Sequence, residues 1–219
     1  MADDFTAMAD AAQAFFAELR ENNDRAWFQA RKDRYEAEIG RPAGDFADVI
    51  ARSLGALTGQ DHGAKIFRIY RDVRFSKDKS PYNPWLHILW TETGAPDVAP
   101  AFFFSADADG VSGMVGAMGF KGAALTRWRE LVDRRGDDLT AALAAAGARL
   151  SDYGPAPLKR VPPGYDPDHP HADLLRRKAV IAGGPVDPGF RDDAGLVEGA
   201  MRHYTALMPL RTLLREGLC

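Results

Sequence analysis

Between residues 65 and 118, four strand-like runs follow one another with no helical stretch between them. That succession constrains the fold more than any other feature of the chain. Parallel neighbours need a crossover of a dozen or more residues, usually a helix, and none intervenes. The runs at 65–75, 85–92, 101–106 and 111–118 should therefore pair as an antiparallel meander rather than as βαβ units. Asp107, Ala108, Asp109 and Gly110 form a hairpin turn between the last two. In the first run, Phe67, Ile69, Val73 and Phe75 would share a face with Arg71, and Ile66, Arg68, Tyr70, Asp72 and Arg74 would share the other. So apolar a face predicts a central strand, not an edge.

Helical periodicity brackets this sheet. Met8, Ala11, Ala12, Phe15, Phe16 and Leu19 form the stripe of an amphipathic helix over 6–20, with Thr6 as N-cap. Asn23 or Asp24 should cap a second helix, whose inner stripe is Trp27, Phe28, Arg31, Tyr35 and Ile39. Gly40 and Pro42 should break it. A third helix, with Phe46, Val49, Ile50 and Leu54 inward, should close at Gly55 or Gly59. Beyond the sheet, 122–135 and 137–146 read as two helices. Residues 151–173 read as a proline-rich excursion pinned by Tyr153, Leu158, Val161 and Tyr165. A helical turn at 172–178, a short strand at 179–182 and a last helix at 193–216, which Pro209 would kink, complete the chain.

The expected fold class is α+β: a curved antiparallel sheet covered by helices on one face, in a single domain over 1–219. Its parts are a helical region at about 6–58, the sheet at about 65–118, helices and the excursion at about 122–178, and the C-terminal helix at about 193–216. An apolar content of 46% in 219 residues is enough for one core.

Charge is distributed unevenly. Residues 68–84 hold five cations, two carboxylates and three aromatics. Residues 65–79 carry a net +4 in a chain whose formal charge is −3, leaving −7 elsewhere. A short basic segment in an acidic chain suits a small anion better than a long polyanion, so nucleic acid is a disfavoured partner. The single cysteine, Cys219, permits no intramolecular disulfide and no thiolate zinc site. No cofactor and no metal are expected. No basic-then-apolar leader opens the sequence and no apolar run approaches 18 residues, so the expectation is a cytoplasmic protein with no membrane partner. Phosphate-loop, nucleophile-elbow and dinucleotide-binding signatures do not occur.

Arg68, Tyr70, Arg71, Arg74, Lys77, Lys79 and Tyr82 are the candidate ligand-binding residues, because guanidinium forks and clustered ammoniums suit phosphate or carboxylate. The competing reading is a structural ion-pair network built on Asp72 and Asp78. If chemistry occurs there, Asp72 and Asp78 are the acid/base candidates, with His169 as a third group hydrogen-bonding in the same cleft. A second cluster, Asp166, Asp168, His169, His171 and Asp173, has no standard metal-ligand spacing and reads first as local structure. Asn23 and Arg25 read as helix-junction residues, or as the rim of the basic pocket. Trp27, Trp85, Trp90 and Trp128 read as core or cleft wall. Two functions remain: a protein, enzymatic or not, that binds a small anionic ligand through an Arg/Lys-rich strand and loop, or a non-catalytic module docking an acidic protein or nucleic-acid segment. A closed concave pocket around Arg74 would favour the first, and a flat, exposed basic strip the second. The sequence leaves the oligomeric state open.

Three stretches carry a family resemblance. They are Glu-Asn-Asn-Asp-Arg-Ala-Trp-Phe at 21–28, Phe-Arg-Ile-Tyr-Arg-Asp-Val-Arg-Phe-Ser-Lys-Asp-Lys-Ser-Pro-Tyr at 67–82, and Pro-Gly-Tyr at 163–165 with His169-Pro170. In order and spacing, from about residue 13 to the C-terminus, the chain resembles domain-of-unknown-function family 2461. One departure is Asn83, where the resemblance leads one to expect a lysine after Pro-Tyr. The resemblance implies a single α+β domain and no particular activity.

Overall fold

A computed structural model describes residues 4–96, 98–192 and 194–219. The N-terminal helices are α1 (Asp4–Glu21), α2 (Arg25–Gln29), α3 (Lys32–Tyr35) and α4 (Arg41–Thr58), with a π-helical turn over Glu36–Gly40. The strands are β1 (His62–Ile66), β2 (Trp85–Glu92), β3 (Ala101–Asp107), β4 (Gly110–Ala117), β5 (Arg149–Leu150) and β6 (Val180–Pro185). Helices α5 (Gly122–Ala145), α6 (Ala172–Leu175) and α7 (Gly195–Leu218) and a 3-10 turn over Pro188–Arg191 complete the described elements. The fold is α+β. Its sheet is open, antiparallel and six-stranded, in the order β1-β2-β3-β4-β6-β5.

The meander β1 to β4 is the one the sequence predicts, with the hairpin turn between β3 and β4 at Ala108 and Asp109. The first strand needs correction. It covers 62–66 rather than 65–75, and it is an edge strand. Residues 67–84 leave the sheet. Phe75, expected on the apolar face, is 96% exposed. Alternating arginines imitate strand periodicity, but a strand flanked on both sides would have to bury guanidinium groups, which is costly without partners.

The helical boundaries differ in instructive ways. The expected second helix is divided at Arg31, whose φ of −121° and ψ of 6° are not helical. Gly40 and Pro42 do not break the chain as expected. Gly40 ends the π turn, and Pro42 falls in the first turn of α4, where its missing N–H costs nothing. Gly59, at φ 70°, closes α4 as its left-handed cap. The two helices expected at 122–146 form one element, α5, bent at Arg135 (φ −133°, ψ 27°). Thr6 lies inside α1 rather than at its cap. The expected start of the last helix, Asp193, lies outside the described residues; the helix begins at Gly195 and runs on past Pro209.

The described residues gather into two compact units. One contains residues up to 90, 103–113 and 185–203, and the other 91–102, 114–184 and 204–219. The first is built on aromatic contacts. Phe46 packs 4.9 Å from Phe104 and 6.3 Å from Trp90, ring centre to ring centre. The Trp90 indole N–H donates to the Ala47 carbonyl at 2.9 Å. In the second unit, Trp128 is fully buried among Phe120, Leu131, Val132 and Leu214 and donates to the Leu174 carbonyl at 3.1 Å.

Strands β4 and β6 approach too closely for any side chain at Gly116. A Cβ there would lie 2.1 Å from the Val180 carbonyl oxygen and 2.5 Å from the Ile181 Cα. Both obstacles are backbone and cannot rotate away. Gly116→Ala should therefore destabilise the protein by at least about 1–3 kcal/mol in denaturant melts, the usual cost of overpacking. Gly63→Ala, on the exposed edge strand with nothing within 4 Å, is the control and should change stability by a few tenths at most.

Candidate functional site

The basic segment starts where β1 stops. The Phe67 amide donates to the His87 carbonyl at 3.0 Å, and the chain then leaves the sheet. It returns through a narrow neck. Tyr70 and Tyr82 form an antiparallel bridge, the Arg71 amide donates to Pro81, and the Asn83 amide donates to Ile69. Tyr82 anchors this neck. It is 2% exposed and stacks on Phe28 with ring centres 4.2 Å apart, while Tyr70 lies 5.5 Å from Tyr82 and 6.0 Å from Phe28.

Asn23 holds the Tyr82 backbone from both sides. Its Nδ2 donates to the Tyr82 carbonyl at 3.0 Å, and its Oδ1 accepts from the Tyr82 amide at 3.1 Å. The side-chain amide thus substitutes for a strand neighbour. The adjacent Asp24 caps α2 by accepting from the Trp27 amide at 2.9 Å. Asn23 and Asp24 therefore divide the two structural roles open to that junction, while Arg25 lies in the first turn of α2.

Beyond the neck, most charges neutralise one another. Arg74 pairs with Asp72 through two contacts, Nε to Oδ1 at 2.9 Å and Nη2 to Oδ2 at 2.6 Å. Arg71 pairs with Asp78 at 2.5 Å and also donates to the Ser80 carbonyl at 3.2 Å. Asp78 accepts from the Ser80 amide and hydroxyl at 2.9 and 2.7 Å. Lys79 donates to the Val73 carbonyl at 3.1 Å. The Ser80 donors, then Arg71, hold the Asp78 carboxyl well below the usual carboxylate range. The Arg74 side chain does the same for Asp72, assisted by the Arg74 amide.

A cleft of about 310 Å³ opens beside the neck. It is lined by the polar residues Arg68, Arg71, Asp72 and Asn83 and the aromatic residues Phe67, Tyr70 and Trp85. The Arg68 guanidinium has no carboxylate within ion-pair distance among the described residues, although its charge helps to depress Asp72. Asn83 Nδ2 donates to the Arg68 carbonyl at 3.1 Å and fixes the backbone at that position. Trp85 stacks on His87 at 3.7 Å with a 13° angle between rings. Burial pushes the His87 imidazole down to about 4, so it is neutral at neutral pH.

The predicted site residues therefore separate. Arg68, Tyr70, Arg71 and Asp72 line the cleft. Arg74, Lys77, Asp78 and Lys79 belong to the loop and do not line it; the Arg74 side chain is 77% exposed. Tyr82 lies buried beneath the neck. Trp85 lines the cleft, one of the two places the sequence allows it; Phe67 and Asn83 are lining residues that the sequence assigns to no site, Asn83 standing out only where the resemblance leads one to expect a lysine.

His169 does not share the arginine cleft. Its Nε2 lies 3.5 Å from Asp133, and its Nδ1 accepts from the His171 amide. The His171 Nε2 lies 2.9 Å from Asp137, and its ring occupies the space where a side chain on Gly136 would be. The excursion is thereby clasped onto α5 at the Arg135 bend. Asp173 pairs with Arg176 instead. Among the described residues, no three His, Cys, Asp or Glu side chains converge as a metal site would require. Nor is any described helix long and apolar enough to cross a membrane.

The chain belongs to the family described as "Conserved hypothetical protein (DUF2461)", whose model matches residues 11–212. No curated protein matches it.

Two measurements test this geometry. Asn23→Ala removes both contacts to the Tyr82 backbone and should cost about 1–3 kcal/mol, the penalty for leaving part-buried polar groups unsatisfied. Asn22→Ala, which loses one exposed contact to the Glu18 carbonyl, should cost less. Asp78 is depressed in the folded state, so its contribution is present above the unfolded carboxylate pKa of about 3.9 and is lost as pH falls toward the folded value. Asp78→Asn should accordingly flatten the fall of stability in denaturant melts between about pH 5 and pH 2. An unchanged acid slope would remove Asp78 from the loop's electrostatics.

Proposed function

We propose that this protein is cytoplasmic and binds a small phosphate- or carboxylate-bearing ligand in the cleft beside the Tyr70–Tyr82 neck. Arg68 is the anchoring cation. The observation that carries this reading is that Arg68 lines the open cleft and its guanidinium has no carboxylate partner among the described residues. The loop cations Arg74 and Lys79 are already satisfied by Asp72 and the Val73 carbonyl, so they contribute field rather than contact. Arg71 reaches the cleft with its charge shared with Asp78. A guanidinium fork with free donors suits two oxygens of a phosphate or carboxylate. The proposal includes no reaction. Asp72 is held ionised by Arg74 and is a poor proton donor at neutral pH. The overall charge of −3 speaks against an extended nucleic acid as the partner.

One observation favours the second reading, a module that docks an acidic protein segment. Phe75 is 96% exposed beside Arg74 and Lys77. Binding centred on the loop tip would depend on Phe75 and Lys77 and not on Arg68.

Thermal shift separates the two. Millimolar phosphate should raise the melting temperature beyond a chloride control of equal ionic strength; ligand at about 100 times its dissociation constant adds roughly 2.7 kcal/mol. Arg68→Gln should abolish the increment and leave the ligand-free melting temperature within about a degree. Lys77→Ala should keep it. If Arg68→Gln retains the full phosphate increment, the cleft is not the anion site.

A further inference from the structure

We infer that the ligand of this cleft carries a flat aromatic ring beside its anionic group, the chemistry of a nucleoside monophosphate. The inference rests on the anion reading above and adds what the neighbours of Arg68 recognise. Three lining side chains, Phe67, Tyr70 and Trp85, are aromatic, and each is held before any ligand arrives. Trp85 lies against His87 at 3.7 Å. Phe67 meets the same imidazole edge-on at 6.5 Å. Tyr70, 45% exposed, leans on Phe28 and Tyr82. A ring entering a wall of fixed rings loses little conformational freedom on the protein side. Because His87 is neutral, no imidazolium beneath Trp85 competes for the anion.

The polar groups also exceed what a bare anion needs. Arg68 alone can take two phosphate oxygens. Asn83 spends its Nδ2 on the Arg68 carbonyl, and its Oδ1 takes no hydrogen bond from any described residue. That oxygen is an acceptor for a ring or amino N–H. Asp72 also lines the cleft, but both of its oxygens already accept from Arg74, so Asn83 Oδ1 is the acceptor the lining leaves open. A space of about 310 Å³ stands at the lower end of small-molecule sites, suited to one ring system with one phosphate.

Isothermal titration of the full chain with adenosine 5′-monophosphate, adenosine, ribose 5-phosphate and inorganic phosphate tests this. The nucleotide should bind at least about tenfold more tightly than ribose 5-phosphate, the margin that stacking one base confers. Trp85→Leu should erase that margin while leaving ribose 5-phosphate binding unchanged, and Arg68→Gln should weaken both phosphates about tenfold or more. The wild-type comparison stands even if Trp85→Leu fails to fold. Equal affinity for nucleotide and ribose 5-phosphate overturns the ring and leaves the anion reading intact. Adenosine binding as tightly as its monophosphate overturns the anion reading, and no binding of any probe at millimolar concentration overturns both.

Discussion

The arrangement of residues 67–84 depends on how Tyr82 is held. A stretch with five cations cannot condense on its own, because nothing within it offers a core. Tyr82 brings the core to it. Its ring is buried on Phe28, and Asn23 occupies both hydrogen-bonding groups of its backbone. With Tyr82 fixed, the bridge to Tyr70 closes the neck, and the neck places Arg68 and Asn83 in the lining of the cleft. The two most distinctive sequence stretches, 21–28 and 67–82, thus meet in space because one supplies a mould for the other. Burial of an aromatic ring and two hydrogen bonds outweigh the cost of ordering a solvated loop at its base, while the tip remains exposed.

Ion pairs within the molecule fall into two kinds. In the loop they are local and partly or largely exposed, contribute little stability, and leave Arg74 paired with Asp72. Glu92 with Arg211 is the opposite case. Both side chains are nearly inaccessible, at 6% and 4%, and the Arg211 guanidinium also lies 5.3 Å from the Phe102 ring centre. Burial lowers the Arg211 pKa, and Glu92 opposes that shift. Glu92 also pairs with Arg215 at 2.7 Å, so loss of Arg211 leaves it a partner, whereas loss of Glu92 strands the buried Arg211 beside a second cation. Buried charge there is paired, whereas the accessible guanidinium of Arg68 has no carboxylate partner among the described residues.

Legibility in the sequence followed periodicity. Strand β2, the β3–β4 turn and the stripe of α1 were readable because their apolar positions repeat cleanly between turn residues. The 65–75 run misled for the same reason: its alternation is real, but the burial energy of the arginines, not the period, decides where they go. The bend at Arg135 was visible as a gap between two helical patterns, though not the seating of the His171 ring against Gly136 beside it. Within the site, charge revealed Arg68, Arg71 and Asp72. It could not separate them from Arg74 and Lys79, since pairing depends on contacts that spacing alone does not specify. Phe67 gave no signal as a lining residue, and Asn83 stood out only as a departure from the expected lysine.

Asn83 also bears on the strength of any site here. Where the family resemblance leads one to expect a lysine, this chain has an amide that spends its donor on the Arg68 carbonyl. A lysine would add a second cation to the same lining, and two cations would hold a phosphate with little need for further contacts. With Asn83 in place, the electrostatic attraction of the lining falls mainly to Arg68, because Arg71 shares its charge with Asp78. A single exposed guanidinium gives modest affinity in water, where solvent and salt screen it. If the cleft holds an anion as proposed, its selectivity would rest on the uncharged lining: the stacked Trp85, the exposed ring of Tyr70 and the Oδ1 of Asn83. Exchanging a cation for an acceptor shifts recognition from charge toward shape and hydrogen bonding.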